Sequence, residues 1–248
     1  MNLVRCLSIV VCALLLAGPD PASAAAPLTP QQKDAVEQLI RDTIANHPEI
    51  VTEALKSAQQ TSDAEAAENV RHAIVDERDR LVADPASPVG GNANGDVTIV
   101  EFFDYRCPYC KEVEPSLEAL LKEDRKLRIV YKEFPILGPA SVYATRVALA
   151  SRAQGKYDAF HHAMMAVKGN IDDEVVRRTA SGVGIDMAKL DGALKASEID
   201  RIIKDNYALA DSLEITGTPA FIVGDTMVPG VADIDTLRKL VAEARKGG

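Results

Sequence analysis

The chain has 248 residues, with 37 acidic against 28 basic side chains and a formal charge of −9. An acidic balance of this kind offers no general basic footprint, so nucleic acid is excluded as a partner class. The length suits one large domain, or one domain with an appendage.

Residues 1–24 read as an export signal. Arg5 supplies the charged start, Leu7 to Ala17 the apolar stretch, and Ala22-Ser23-Ala24 an A-x-A cleavage site, so the mature chain is expected to begin near Ala25. The apolar run is too short for a transmembrane span and ends in Gly18-Pro19-Asp20-Pro21, and no later stretch approaches the ~20 apolar residues a spanning helix needs. No cysteine stands at the cleavage point, which argues against a lipid anchor there. Cleavage removes one Arg5 and one Asp20, so the charge survives it. The expected destination is the oxidising periplasm, with the protein soluble once cleaved. Of the four cysteines, Cys6 and Cys12 fall in the signal, leaving Cys107 and Cys110 to the mature chain.

Residues 25–83 are predicted to form a helical arm. Thr29-Pro30-Gln31-Gln32 is a helix start: Thr29 can cap, Pro30 sits where its missing N–H costs nothing, and Gln32 completes a capping box. Val36, Leu39, Ile40 and Ile44 form one apolar stripe, interrupted at His47-Pro48. A second helix follows with Ile50, Val51, Ala54, Leu55 and Ala58, and beyond the polar Gln59 to Asp63 a third with Ala67, Val70, Ile74 and Leu81. The stripes are narrow and the third segment is crowded with charge, so the arm cannot build a core alone. It either pairs with another copy, the favoured reading, or folds back on its own catalytic domain. Residues 84–95, rich in proline, glycine and small polar side chains from Asp84-Pro85 to Gly95, are expected to be a linker.

Residues 96–248 are expected to be the catalytic domain. Val97 to Phe103 is β-branched and aromatic and reads as a buried strand that delivers the chain to Cys107-Pro108-Tyr109-Cys110. Val113, Leu117, Leu120 and Leu121 then recur at helical spacing, which places Cys107 at a helix N-terminus and Cys110 one turn inside. Free N–H groups and the positive end of the helix dipole stabilise a thiolate there. A disulfide between residues so close in sequence constrains the unfolded chain little, so the pair suits chemistry better than bracing. Cys107 is the expected nucleophile and the more buried Cys110 the resolving thiol. Leu127 to Phe134 reads as a second strand, parallel to the first through a right-handed crossover. Residues 139–213 are helical throughout, an insertion, and two short strands resume at Ala220 to Val223 and Met227 to Pro229 around a Gly224-Asp225-Thr226 turn. An amphipathic helix with Ile234, Leu237, Leu240 and Val241 closes the chain. The fold class is thus α/β with a mixed sheet.

Four landmarks resemble thioredoxin-fold oxidoreductases of the DsbA type: Gly95 to Tyr105, the Cys107-Pro108-Tyr109-Cys110 motif, Gly155-Lys156-Tyr157-Asp158-Ala159-Phe160-His161, and Thr216-Gly217-Thr218-Pro219-Ala220-Phe221. They span residues 88–246, and the arm resembles that of the ScsC group, in which such a region makes a trimer. The resemblance implies that Pro219 is a cis-proline facing the cysteines, with Thr218 before it free to pair with an extended substrate as an added strand. It implies that Glu101 is the buried acid beneath the pair, with a raised pKa, able to take the proton from Cys110 as it attacks; the alternative is an edge-of-strand glutamate in water. Pro108 and Tyr109 would set the potential and the groove surface.

The expected activity is thiol–disulfide exchange on exported proteins, through a Cys107–Cys110 disulfide that forms and breaks, with a membrane redox partner of unknown identity and no cofactor. A monomer kept oxidised would be a disulfide-introducing oxidase. Copies joined through the arm, a homotrimer by resemblance, and kept reduced would be an isomerase, the favoured direction. From another class, Cys107 and Cys110 could bind Cu(I) as a copper-tolerance protein; a holdase with incidental cysteines is a third reading. His161-His162 is not expected to bind metal, because adjacent helical residues diverge by roughly 100°, and Met164 and Met165 read as core filler.

Overall fold

A computed structural model describes residues 27–247; the expected export signal, with Cys6 and Cys12, lies outside the described residues. The chain forms two compact units that divide between Gln60 and Thr61.

The first unit carries helix α1 (Pro30–Asn46) and the start of α2 (Glu49–Asp76). The capping box is present: Gln32 N–H donates to Thr29 Oγ1 at 3.3 Å and Thr29 N–H to Gln32 Oε1 at 2.9 Å. None of α1 is buried, and Val36, Leu39, Ile40 and Ile44 are all exposed, as are Ile50, Val51 and Leu55 on α2. The second and third helices expected in the arm are one, because Gln59 to Asp63 contains no glycine or proline to end α2.

The second unit opens with the C-terminal part of α2 and with α3 (Arg78–Val82), which differs from the expected arm boundary at residue 83. Ile74 and Leu81 are buried in a cluster with Val100, Phe102, Val130, Phe134, Leu209 and Ile222. The expected linker is likewise structured. Strand β1 (Val89–Gly91) lies antiparallel to β3 (Leu127–Glu133), whose parallel neighbour is β2 (Val97–Phe103). Gly90 belongs there for close approach rather than flexibility, since a Cβ would stand 2.8 Å from Ile129 Cγ2. Lys132, buried on β3, holds this segment: its Nζ donates to the Arg80 carbonyl at 2.5 Å and Ser87 Oγ at 2.6 Å and pairs with Asp84 Oδ2 at 3.3 Å. Leu81→Ala should therefore destabilise the catalytic unit by about 2–5 kcal/mol in denaturant melts. A loss under about 0.5 kcal/mol, ordinary for a surface position, would return residues 78–83 to the arm.

Helix α4 (Pro108–Glu123) crosses from β2 to β3. Helices α5 (Pro139–Ser151), α6 (Tyr157–Met165), α7 (Asp173–Gly182), α8 (Met187–Ala193) and α9 (Ser197–Ser212) form the insertion, which the periodicity had placed at 139–213. Strands β4 (Ala220–Val223) and β5 (Thr226–Pro229) follow, then α10 (Ile234–Gly247). The sheet order is β1-β3-β2-β4-β5, mixed as expected, with Ile99 to Phe102 of β2 antiparallel to Ala220–Val223. Period-two alternation sorts β2 onto two cores. Val100 and Phe102 face the cluster with α3 and α9, whereas Ile99 and Phe103 join α4, α10 and the insertion. Glu101 shares the face of Ile99 and Phe103, beneath α4. Among the described residues, no helix is long and apolar enough to cross a membrane.

Candidate active site

Strand β2 ends at Phe103, and the turn to α4 is held by Asp104, whose buried carboxylate accepts the Arg106 N–H at 2.7 Å and the Leu137 N–H at 2.9 Å. Cys107 is the N-cap of α4, with extended backbone (φ −72°, ψ 118°), and Pro108 occupies the first helical position. Cys107 is 4% exposed and Cys110 is fully buried, both as free thiols, so this is the dithiol form of the pair. Tyr109, between them, is 58% exposed and forms part of the outer surface.

The two thiols differ sharply in acidity. The Cys110 thiol donates to the Cys107 sulfur, and this hydrogen bond outweighs burial; with help from the Thr218 side chain and the N–H groups of Cys110 and Tyr109, it brings Cys107 down to about 6. Those N–H groups are the unsatisfied donors of the first turn. Burial holds the Cys110 thiol far above the ordinary range, and the hydrogen it shares with Cys107 pushes the same way. One sulfur is therefore ionised at neutral pH and the other is its proton-bearing neighbour.

The Thr218–Pro219 peptide is cis, as expected. Cys107 Sγ lies 3.1 Å from the Thr218 carbonyl oxygen, a contact to which only the protonated thiol can donate, so ionisation of Cys107 frees that carbonyl. Glu101 is fully buried and neither carboxyl oxygen has a hydrogen-bond partner. Burial raises its pKa well above the carboxylate range, with Glu114, Cys107 and Glu133 adding to the shift. The edge-of-strand alternative is thereby removed: Glu101 is a buried acid of raised pKa within electrostatic reach of both sulfurs.

Several residues near the site were not singled out from the sequence. Glu133, at the end of β3, accepts hydrogen bonds from Tyr105 (3.2 Å), Tyr157 (2.9 Å) and Thr145 (2.7 Å), and burial pushes it up to about 8. Lys111 Nζ donates to the Met164 and Met165 carbonyls at the end of α6, fastening the insertion to the active-site helix, and its burial lowers it to about 8. The spacing of Tyr157 and His161, four apart on one helical face, was the available signal for the first group. His161 is in the core and His162 at the rim, but both approach Glu114 of α4, a third member that spacing along α6 does not reveal. Met164 is fully buried, as filler should be.

Comparisons with known proteins agree with this layout. Residues 98–242 match the DSBA-like thioredoxin domain family and residues 32–65 the copper resistance protein ScsC N-terminal domain. A thioredoxin-like oxidoreductase from Silicibacter pomeroyi DSS-3 is 46% identical, covering 69% of this chain and 99% of its own, with a TM-score of 0.68. Proteus mirabilis ScsC in a transitional conformation is 30% identical over 89% of this chain and 100% of its own, at a TM-score of 0.67. The thiol:disulfide interchange protein DsbA of Bordetella pertussis is 29% identical over 143 residues, 55% of this chain and 68% of that protein. The chain also matches Na(+)/H(+) antiporters such as NhaA 3 of Salinispora tropica, spanning 24% of that protein's length. With its thioredoxin sheet, helical insertion and N-terminal helices in the same order, the chain belongs to the DSBA-like thioredoxin family and is ScsC-like within it.

Proposed function

We propose that this chain is an exported, periplasmic thiol–disulfide oxidoreductase that acts on other exported proteins, and that its N-terminal helices join copies into an oligomer working as an isomerase. The observation that carries the exchange chemistry is Cys107: a thiol at the N-cap position of α4, lowered to about 6 beside a fully buried Cys110.

The Cys107 thiolate attacks one sulfur of a client disulfide. A Cys107–client bond forms, and the other client sulfur leaves as a thiolate and takes a proton from water. In isomerisation that freed client thiolate, or another, attacks the mixed disulfide, a new client disulfide forms and Cys107 leaves as thiolate, with no net oxidation. In escape, Cys110 loses its proton and attacks Cys107; the client departs reduced by two electrons and Cys107–Cys110 is oxidised. Run backwards, this second route makes the oxidase, with the membrane partner restoring the disulfide.

Glu101 fits as the proton carrier for Cys110. With its pKa raised by burial, it can protonate Cys110 when that sulfur leaves, and by microscopic reversibility its carboxylate takes the proton when Cys110 attacks. Its two unpartnered oxygens also cost stability. Glu101→Leu should therefore melt higher, by about 1–3 kcal/mol, while the Cys110 step slows about a hundredfold. A destabilised variant with unchanged single-turnover rates would assign Glu101 a structural role.

Oligomerisation is supported by the exposed apolar side chains of α1 and of α2 before Gln60, and by the ScsC N-terminal match over the same residues. A trimer is the proposed state. The test is recovery of a scrambled multi-disulfide client by the reduced full chain, beside oxidation of a reduced client by the disulfide form. Recovery of neither client ends the proposal. A second reading, Cu(I) capture by Cys107 and Cys110, is favoured by the copper resistance in the arm family's description. Copper lost at once from the reduced protein to a competing chelator removes it.

A further inference from the structure

Helix α4 and helix α6 bring Glu114, His161 and His162 together, with one ligand atom from each within 4.8 Å of the others. We propose that these residues form a site for a divalent transition-metal ion, one helical turn beyond Cys110 and separate from the thiols.

Two buried groups face each other there without a partner. His161 Nε2 and Glu114 Oε2 are 3.7 Å apart, too far for a hydrogen bond, and neither has a hydrogen-bond partner elsewhere. His161 is otherwise fixed: its Nδ1 lies 3.2 Å from the Tyr105 hydroxyl, and its ring is clasped by Phe103, Tyr131 and Tyr157. With the Tyr105 hydrogen directed to Glu133, the Tyr105 oxygen is placed to accept from Nδ1–H, the tautomer in which Nε2 presents a lone pair. A buried lone pair opposite a buried carboxylate oxygen is costly unless a cation lies between them. The spacing suits one, since two ligands about 2.1 Å from a tetrahedral ion stand roughly 3.4 Å from each other. The Tyr105 contact is the outer-sphere hydrogen bond that metal-bound imidazoles ordinarily make through their second nitrogen.

His162 supplies the third ligand and the entry route. Its side chain is 34% exposed, and Nδ1 contacts Glu114 Oε1 at 2.7 Å and Glu118 Oε1 at 3.3 Å. Asp158 Oδ1 lies 3.4 Å from its Nε2, and the ring borders two surface clefts, one of which reaches Pro108 and Lys111 of the active-site helix. An incoming ion displaces the proton that His162 Nδ1 shares with Glu114, and this proton leaves to solvent. Two imidazoles and a carboxylate select Zn²⁺ or Cu²⁺ over Mg²⁺ or Ca²⁺. Occupancy would tie the insertion to α4, as Lys111 already does.

The test uses the full mature chain with Cys107→Ser and Cys110→Ser, so that sulfur cannot contribute, titrated with ZnCl₂ by calorimetry and thermal melting. One equivalent per chain is expected, with a melting temperature that climbs as Zn²⁺ is raised. Adding His162→Gln or Glu114→Gln should weaken binding at least tenfold while the metal-free melt stays cooperative. His47→Gln and His72→Gln, at the remaining histidines, should change nothing. No saturable Zn²⁺ binding, equal affinity after His162→Gln, or loss only on changing His47 or His72 would overturn the site.

Discussion

Cys107→Ser should abolish exchange on both reduced and scrambled clients, a loss of at least about 10³-fold, because Cys110, the other thiol among the described residues, is fully buried and a serine hydroxyl stays protonated at neutral pH. Cys110→Ser should fail differently. Cys107 still attacks but nothing displaces the client, so a mixed disulfide accumulates and is seen as a band that reductant removes. Residual turnover by Cys107→Ser, or a client trapped on Cys110 instead, would reverse the roles given to the two sulfurs. Burial opposes that reversal on steric grounds, since Cys110 has no exposed surface.

The low pKa of Cys107 acts more on equilibrium than on speed. At pH 7 a thiol of pKa about 6 is ~90% ionised, against about 3% for an ordinary cysteine, yet lower basicity costs it roughly tenfold in nucleophilicity. The net gain in attack is small. As a leaving group Cys107 gains outright, and the reduced form gains stability. A depressed pKa contributes its full stabilisation above the unfolded value near 9.0 and loses it as pH falls through about 6. At pH 7 the contribution is about 1.4 kcal/mol, or about 30 mV towards a more oxidising couple.

Deleting the N-terminal helices up to Gln60 should produce the second large effect: recovery of a scrambled client falls about tenfold or more, while oxidation of a reduced client is nearly unchanged. Isomerisation needs a client held while its own thiols search, and several linked sites raise the local concentration of thiolate around it. Single-turnover oxidation needs one site. The cut belongs at Thr61, not near Pro88, because Ile74 and Leu81 are core residues of the catalytic unit and their loss would confuse folding with assembly. Mass in solution must fall together with the activity. A truncation of unchanged mass per particle and unchanged scrambled-client recovery would reject the oligomeric isomerase.

Much of this site was legible in the sequence because its signals are local. Val97 to Phe103 announces a strand, Cys107-Pro108 a helix start, and the helical period places Cys110 inside, all within fourteen residues of chain. Distant contacts left no such trace. Asp84 to Gly91 has the composition of a linker, yet Lys132, about forty-five residues away, fixes it to the sheet and Gly90 is required by the nearness of Ile129. Glu133 looks like any strand-end acid until three hydroxyls from separate elements converge on it. The argument from i, i+1 divergence against a metal at His161 and His162 holds for a single helix; Glu114 enters from a second one.

The central claim is that Cys107 is a thiolate at neutral pH, and alkylation kinetics of the reduced Cys110→Ala chain and of the wild type, followed from pH 4 to pH 10, test it most directly. For the wild type the rate should rise with a midpoint at about 6, and Cys110→Ala, which removes the largest stabilising hydrogen bond, should move that midpoint upward. A wild-type midpoint near 8.5, the value of an unassisted cysteine, would contradict the account.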